Sequence, residues 1–253
     1  MTVPNVEVGR GAFRKTGKDN LKANYQLVPN LPRDGSSPTK DANYQAVNFG
    51  VKAIQARINS YDLGYAPHLT VDGIYDEQTV VAAKAAQEAL GFTGTGVDGI
   101  AGPNTCRALW RDLFIWNGGK YHVPASHLYG FMMLESLGDP GALGQLTPSD
   151  RGLCQINEKA HPDVTDEMAF DPNYAIAFTA KRLGIARAEF SGKGVVLKNN
   201  VAIAQHNSPV AAQIWYRDEK PPLTPTLYNG KLWTFPDIEK YVNNVLLHAA
   251  RFK

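Results

Sequence analysis

Cysteine is scarce. The two in 253 residues, Cys106 and Cys154, cannot build a disulfide framework, and no CxxC or Cys/His spacing suits a metal. The six histidines, at 68, 122, 127, 161, 206 and 248, form no HExxH or comparable pair, which argues against a zinc amidase or peptidase. No metal and no cofactor are therefore expected. Long apolar runs are missing too: nothing approaches the roughly 18 residues of a membrane span. The N-terminal MTVPNVEVGRGAFRKTG lacks the apolar core of a secretory signal. These absences predict a protein made in a reducing cytoplasm, without membrane insertion. Charge of one sign is also lacking. The 26 Lys+Arg and 24 Asp+Glu leave a net +2, too little to draw a polyanion, so nucleic acid is not an expected partner. What is present, 43% hydrophobic and 20% charged residues, is soluble globular usage, and the length suits one or two domains.

Residues 1–42 carry seven basic and four acidic residues and the polar stretch RDGSSPTKD, with no sustained apolar period. So little apolar surface cannot offset ordering entropy, and an arm or linker is expected there. From Asn43 to Asp112 the pattern turns helical. Val47, Val51, Ile54, Ile58 and Tyr61 recur at three- and four-residue steps, one face of an amphipathic helix. A second helix is predicted from about Glu77 to Leu90, with Asp76 as N-cap and Gly91 at its stop, and a third starts at Pro103.

An internal echo links those helices. VDGIYDEQT (Val71 to Thr79) returns as VDGIAGPNT (Val97 to Thr105), each an Asp-Gly turn, an apolar Ile and a helix start. With VKAIQARIN before them, the segments over 43–112 resemble the small three-helix peptidoglycan-binding domains. The family usually carries Phe where this chain has Ala86. The resemblance implies a non-catalytic wall anchor whose ligand contacts the motif leaves open. Asp72, Gly73, Asp98 and Gly99 are its candidate residues, and turn geometry is their first role.

FIWNGGKYHVPA follows, and its Asn-Gly-Gly predicts a hinge over 113–120. The remainder, 121–253, reads as a mainly helical domain with helices near 125–136, 172–190, 198–207 and 237–250. The Pro-rich stretch 217–237 is expected as a long surface loop. Leu128, Phe131, Met132 and Glu135 fall on one helical face. A carboxyl in apolar surroundings has its charged form disfavoured, and a neutral acid can protonate a leaving-group oxygen. GLCQIN adds the amides of Gln155 and Asn157, AIAQHNS adds His206 and Asn207, and EKYVNNV adds Tyr241. Amides and a phenol both give and take hydrogen bonds, as acetamido sugars require.

In this order the segments resemble the lytic transglycosylases and goose-type lysozymes, which share a lysozyme-like, mostly helical α+β fold. The resemblance implies Glu135, followed by Ser136, as the catalytic acid of ESLGDPGAL. It places Gln155 in DRGLCQIN at a sugar-binding position, Asn207 in the tyrosine-asparagine motif, and Tyr241 on the last helix. His206 stands where the family usually has Tyr, and Cys154 where Met or Phe is usual. Cys154 thus sits inside a sugar-site motif and Cys106 in a helix, which argues against a cysteine peptidase. Transglycosylases use one glutamate, with the 6-hydroxyl of N-acetylmuramic acid closing to a 1,6-anhydro product. A hydrolytic muramidase instead uses water and often a second acid. Asp150 is that candidate, since Asp171 before Pro172 reads as a helix cap and Asp139 before Pro140 as a turn. Both outcomes stay open, as does a non-catalytic wall-binding or virion structural protein. The two-part layout resembles a modular bacteriophage endolysin: a monomer made in the host cytoplasm, reaching glycan strands after membrane permeabilisation or carried in a virion.

Overall fold

The computed structural model describes residues 13–14, 26–27, 40–61, 63, 68–144, 150–223, 225–234 and 237–252. Most of the arm expected at 1–42 lies outside them. Its described part is one antiparallel pair, β1 (Phe13–Arg14) with β2 (Gln26–Leu27), and the start of α1 (Lys40–Asn59). The fold is mainly helical, as the sequence predicts. Val51, Ile54 and Ile58 of α1 are buried, which is the face the periodicity marks. In α2 (Glu77–Ala89) the Asp76 carboxylate accepts the Thr79 N–H at 2.9 Å, and Gly91 just past the end has φ +86°. Pro103 opens α3 (Pro103–Leu109), where its missing N–H costs no helical bond.

The chain divides into two compact units. The first takes the described residues up to Asp112 together with Glu135–Ile176; the second takes Leu113–Leu134 and Ala177–Lys253. Residues 135–176 group with the preceding segment rather than with the rest of 121–253. Close packing explains this. A Cβ on Gly50 of α1 would stand 2.8 Å from the backbone N and Cα of Gly141, so only glycine permits the approach. Phe49 stacks on Phe170 with centroids 5.4 Å apart and planes 8° from parallel. Trp110, 1% exposed, donates its indole N–H to the Gly138 carbonyl at 3.2 Å. In this unit β3 (Asp150–Arg151) pairs with β4 (Ile156–Asn157), and α6 (Asp166–Phe170) follows, capped by Thr165.

In the second unit, Phe114 of α4 (Arg111–Tyr121), Tyr129 of α5 (Ala125–Glu135) and Phe252 form one aromatic cluster. The rest is α7 (Pro172–Glu189), α8 (Val195–Asn207), α9 (Pro209–Asp218) and α10 (Ile238–Ala249). A Cβ on Gly130 would meet the Val245 carbonyl at 2.3 Å, so a bare backbone lets α5 touch α10. Two expectations are corrected. The hinge over 113–120 is helix, because Asn117 is buried and donates to the Leu113 carbonyl at 2.9 Å, and Gly118 gives close backbone contact with Val123. The loop over 217–237 contains a hairpin, β5 (Thr226–Tyr228) with β6 (Lys231–Trp233). Asn229 and Gly230 turn it with φ +49° and +73°, the backbone that a two-residue type I′ turn requires.

Candidate functional site

The two Asp-Gly turns are built alike. Gln55 of α1 donates Nε2 to Asp72 Oδ1 (3.0 Å), the Ile74 carbonyl (2.9 Å) and Thr79 Oγ1 (3.2 Å), and accepts the Gly73 N–H at 2.9 Å. Gln87 of α2 repeats this with Asp98 Oδ1 (2.8 Å), the Ile100 carbonyl (3.1 Å), Thr105 Oγ1 (2.9 Å) and the Gly99 N–H (2.8 Å). Tyr75 joins the turns, donating to the Gly99 carbonyl at 3.1 Å and accepting the Ala101 N–H at 3.2 Å. Gly73 and Gly99 have φ +82° and +75°. Asp72, Gly73, Asp98 and Gly99 are thus turn residues held from inside. The Asp72 carboxylate is lowered below its ordinary range chiefly by the Ile74 N–H, then by Gln55.

Glu135 is the last residue of α5 and half-buried. Ser136 is 4% exposed; it donates Oγ to the Leu153 carbonyl at 2.8 Å and accepts the Gly138 N–H at 3.2 Å. Its hydroxyl proton is used inside the protein. That bond fastens the end of α5 to the turn carrying Gln155. Leu137 (φ +57°) and Gly138 (φ +93°) end the helix by left-handed steps.

Gln155 is 8% exposed and has φ +51°, a strained backbone for a side chain with a Cβ. Its Nε2 donates to the carbonyls of Gly152 (2.9 Å) and Ala142 (3.3 Å). Two carbonyls at one end fix the amide's orientation, and among the described residues nothing bonds Oε1. Gly152 admits no side chain, since a Cβ would meet the Ala169 carbonyl at 2.0 Å. Asp150 and Asn157 face each other across β3 and β4, and Asn157 donates Nδ2 to Asp150 Oδ1 at 2.7 Å. The other end of the Asn157 amide accepts the Ala160 N–H at 2.9 Å. The sequence reading missed Arg151, which is 3% exposed and anchors β3 by donating to Asp166 (2.7 Å) and the Val164 carbonyl (2.9 Å). It lies inside DRGLCQIN, but the motif gives it no role.

His206, Asn207 and Tyr241 lie in the second unit. Phe131 carries two of them: His206 meets its ring edge-on at 4.9 Å, and Tyr241 lies 6.4 Å away. Asn207 ends α8, exposed.

Two titratable groups elsewhere are strongly perturbed. Asp139, 3% exposed, is pushed up to about 7 by burial, with only the Gly141 N–H (2.8 Å) bonding it back down. Among the described residues its Oδ2 has no partner. Burial lowers His127 to about 4, and Arg187 adds to that. Among the described residues no group of three His, Cys, Asp or Glu is placed to hold a metal, and no helix is long and apolar enough to cross a membrane.

Residues 50–109 match the peptidoglycan binding domain family. The peptidoglycan-binding module supports association with the cell wall, and its repeated turns are its internal frame. No curated protein matches the chain.

Proposed function

We propose that the protein cuts the β-1,4 bond between N-acetylmuramic acid and N-acetylglucosamine while its module holds it on the wall. Glu135 protonates the bridging oxygen as the C1–O bond breaks. The substrate's acetamido group shields the resulting positive centre. The 6-hydroxyl then closes on C1 and returns its proton to Glu135, leaving a 1,6-anhydro end. The observation carrying this reading is the Ser136–Leu153 bond, which ties the Glu135 end of α5 to a turn whose Gln155 keeps, among the described residues, an unbonded acceptor. That acceptor suits an acetamido N–H or a sugar hydroxyl.

Hydrolysis is the second reading, and the fixed Asp150–Asn157 pair favours it, because a carboxylate held by an amide can orient water. A bacteriophage endolysin, monomeric and released to the wall by membrane permeabilisation or carried in a virion, fits the two-part layout. Mass spectrometry of digested walls separates the chemistries: anhydro-muramic ends support transfer, reducing ends support water. Glu135→Gln is expected to lose lysis by about a hundredfold or more while still sedimenting with insoluble peptidoglycan. A wild type that sediments and never clears walls overturns catalysis and leaves a wall-binding protein.

A further inference from the structure

We infer that the peptidoglycan-binding module is also a scaffold of the candidate site, with Trp110 as a positioning residue. This rests on the proposed glycan-cleaving reading. Three features of the module converge on one loop, Gly138–Gly144. Trp110 donates its indole N–H to the Gly138 carbonyl at 3.2 Å. A Cβ added at Gly138 would lie 3.3 Å from the Cys106 Cβ, and one added at Gly50 would lie 2.8 Å from the backbone of Gly141. From the other side, the same loop holds the site. The Ala142 carbonyl accepts both the Gly152 N–H at 2.7 Å and the Gln155 side chain at 3.3 Å. Leu143 bridges to Arg151, and Gly144 donates to the Asp150 carbonyl at 2.8 Å. Module, loop and Gln155 turn therefore form one unbroken chain of backbone contacts inside one compact unit.

A wall anchor on a flexible tether would raise local substrate concentration and leave turnover of small soluble substrates alone. A scaffold changes that turnover. The experiment compares wild type with Trp110→Phe, which keeps an aromatic ring and deletes the donor. The substrate is a soluble peptidoglycan tetrasaccharide, too small to reward tethering. The expected result is a fall of about tenfold in kcat/KM, since small displacements of a positioning group are costly in rate. Co-sedimentation with insoluble peptidoglycan stays within about twofold, because the ligand-binding module is otherwise intact. Adding Trp110→Phe to Gln155→Gly brings little further loss, because Trp110 acts through the amide that Gln155→Gly removes.

Unchanged turnover by Trp110→Phe overturns the inference, as do fully additive losses. A Trp110→Phe protein that fails to fold also overturns it, because the contact then serves stability alone. If the wild type does not cleave the tetrasaccharide but clears whole walls, the tether account replaces the scaffold. If it cleaves neither, the glycan-cleaving reading itself falls.

Discussion

Three glutamines in one compact unit show how the same side chain is used for structure and offered for binding. Gln55 and Gln87 have both ends of the amide consumed: each donates to three oxygens and accepts one glycine N–H. Gln155 donates from one end only and sits on strained backbone at φ +51°. A fully consumed amide in a turn explains itself by satisfying buried polar groups. A half-used one, held against a backbone preference, is where a ligand can complete the bonding.

The largest expected effect tests the consumed pair. Gln55→Ala or Gln87→Ala should each destabilise by about 3 kcal/mol, because buried turn N–H and carbonyl groups lose their partner. Gln155→Gly should change stability by less than about 1 kcal/mol, since lost hydrogen bonds are offset by relief of backbone strain. Chemical denaturation measures both. Equal destabilisation would put Gln155 with the structural glutamines and remove the acceptor on which the site is built.

The next effect contrasts the two units through pH. Asp139 in the first has its acid form favoured up to about pH 7 against 3.8 ordinarily. The folded state therefore holds its proton more tightly, and this contribution is full below about pH 4 and lost as pH rises through 7. His127 in the second is lowered to about 4 from 6.5. Its contribution is full above about pH 6.5 and lost as pH falls through 4. Asp139→Asn should remove the first slope, and His127→Gln the second, in thermal melts between pH 4 and 8. Matching slopes in the two variants would show that one of these groups is not the buried group described. The smallest effect concerns Tyr75→Phe, which frees the Gly99 carbonyl and the Ala101 N–H. A loss of about 1 kcal/mol is expected. A loss near that of Gln87→Ala would mean that the two turns stand or fall together.

Local chemistry was readable in the chain. The Asp76 cap, the glycine stop at Gly91, Pro103 at a helix start and the α1 apolar face all follow from neighbours a few residues apart. So was the module, because its turns repeat. The hairpin at Thr226–Trp233 was readable too, since Asn229-Gly230 is a strong turn signal, but the surrounding prolines masked it. The hinge at 113–120 misled because Asn-Gly-Gly looks the same whether its glycines supply freedom or closeness. Only the packing of Gly118 against Val123 distinguishes them.

Candidate residues such as Glu135 and Gln155 were legible as motifs, whereas the burial of Ser136 and the anchoring by Arg151 were not. Those depend on atoms 13 to 17 residues away in sequence. Periodicity, caps and the repeated turn alone settled that this is a mainly helical protein with a doubled turn-then-helix unit, which its family resemblance reads as a peptidoglycan-binding module. Tertiary contact alone decided that residues 135–176 join that module, that Ser136 faces inward and that, among the described residues, Gln155 keeps one oxygen unbonded. The physical reason is range: helix periods and turns act over a few residues, whereas burial and hydrogen-bond satisfaction depend on partners that only the folded chain brings near.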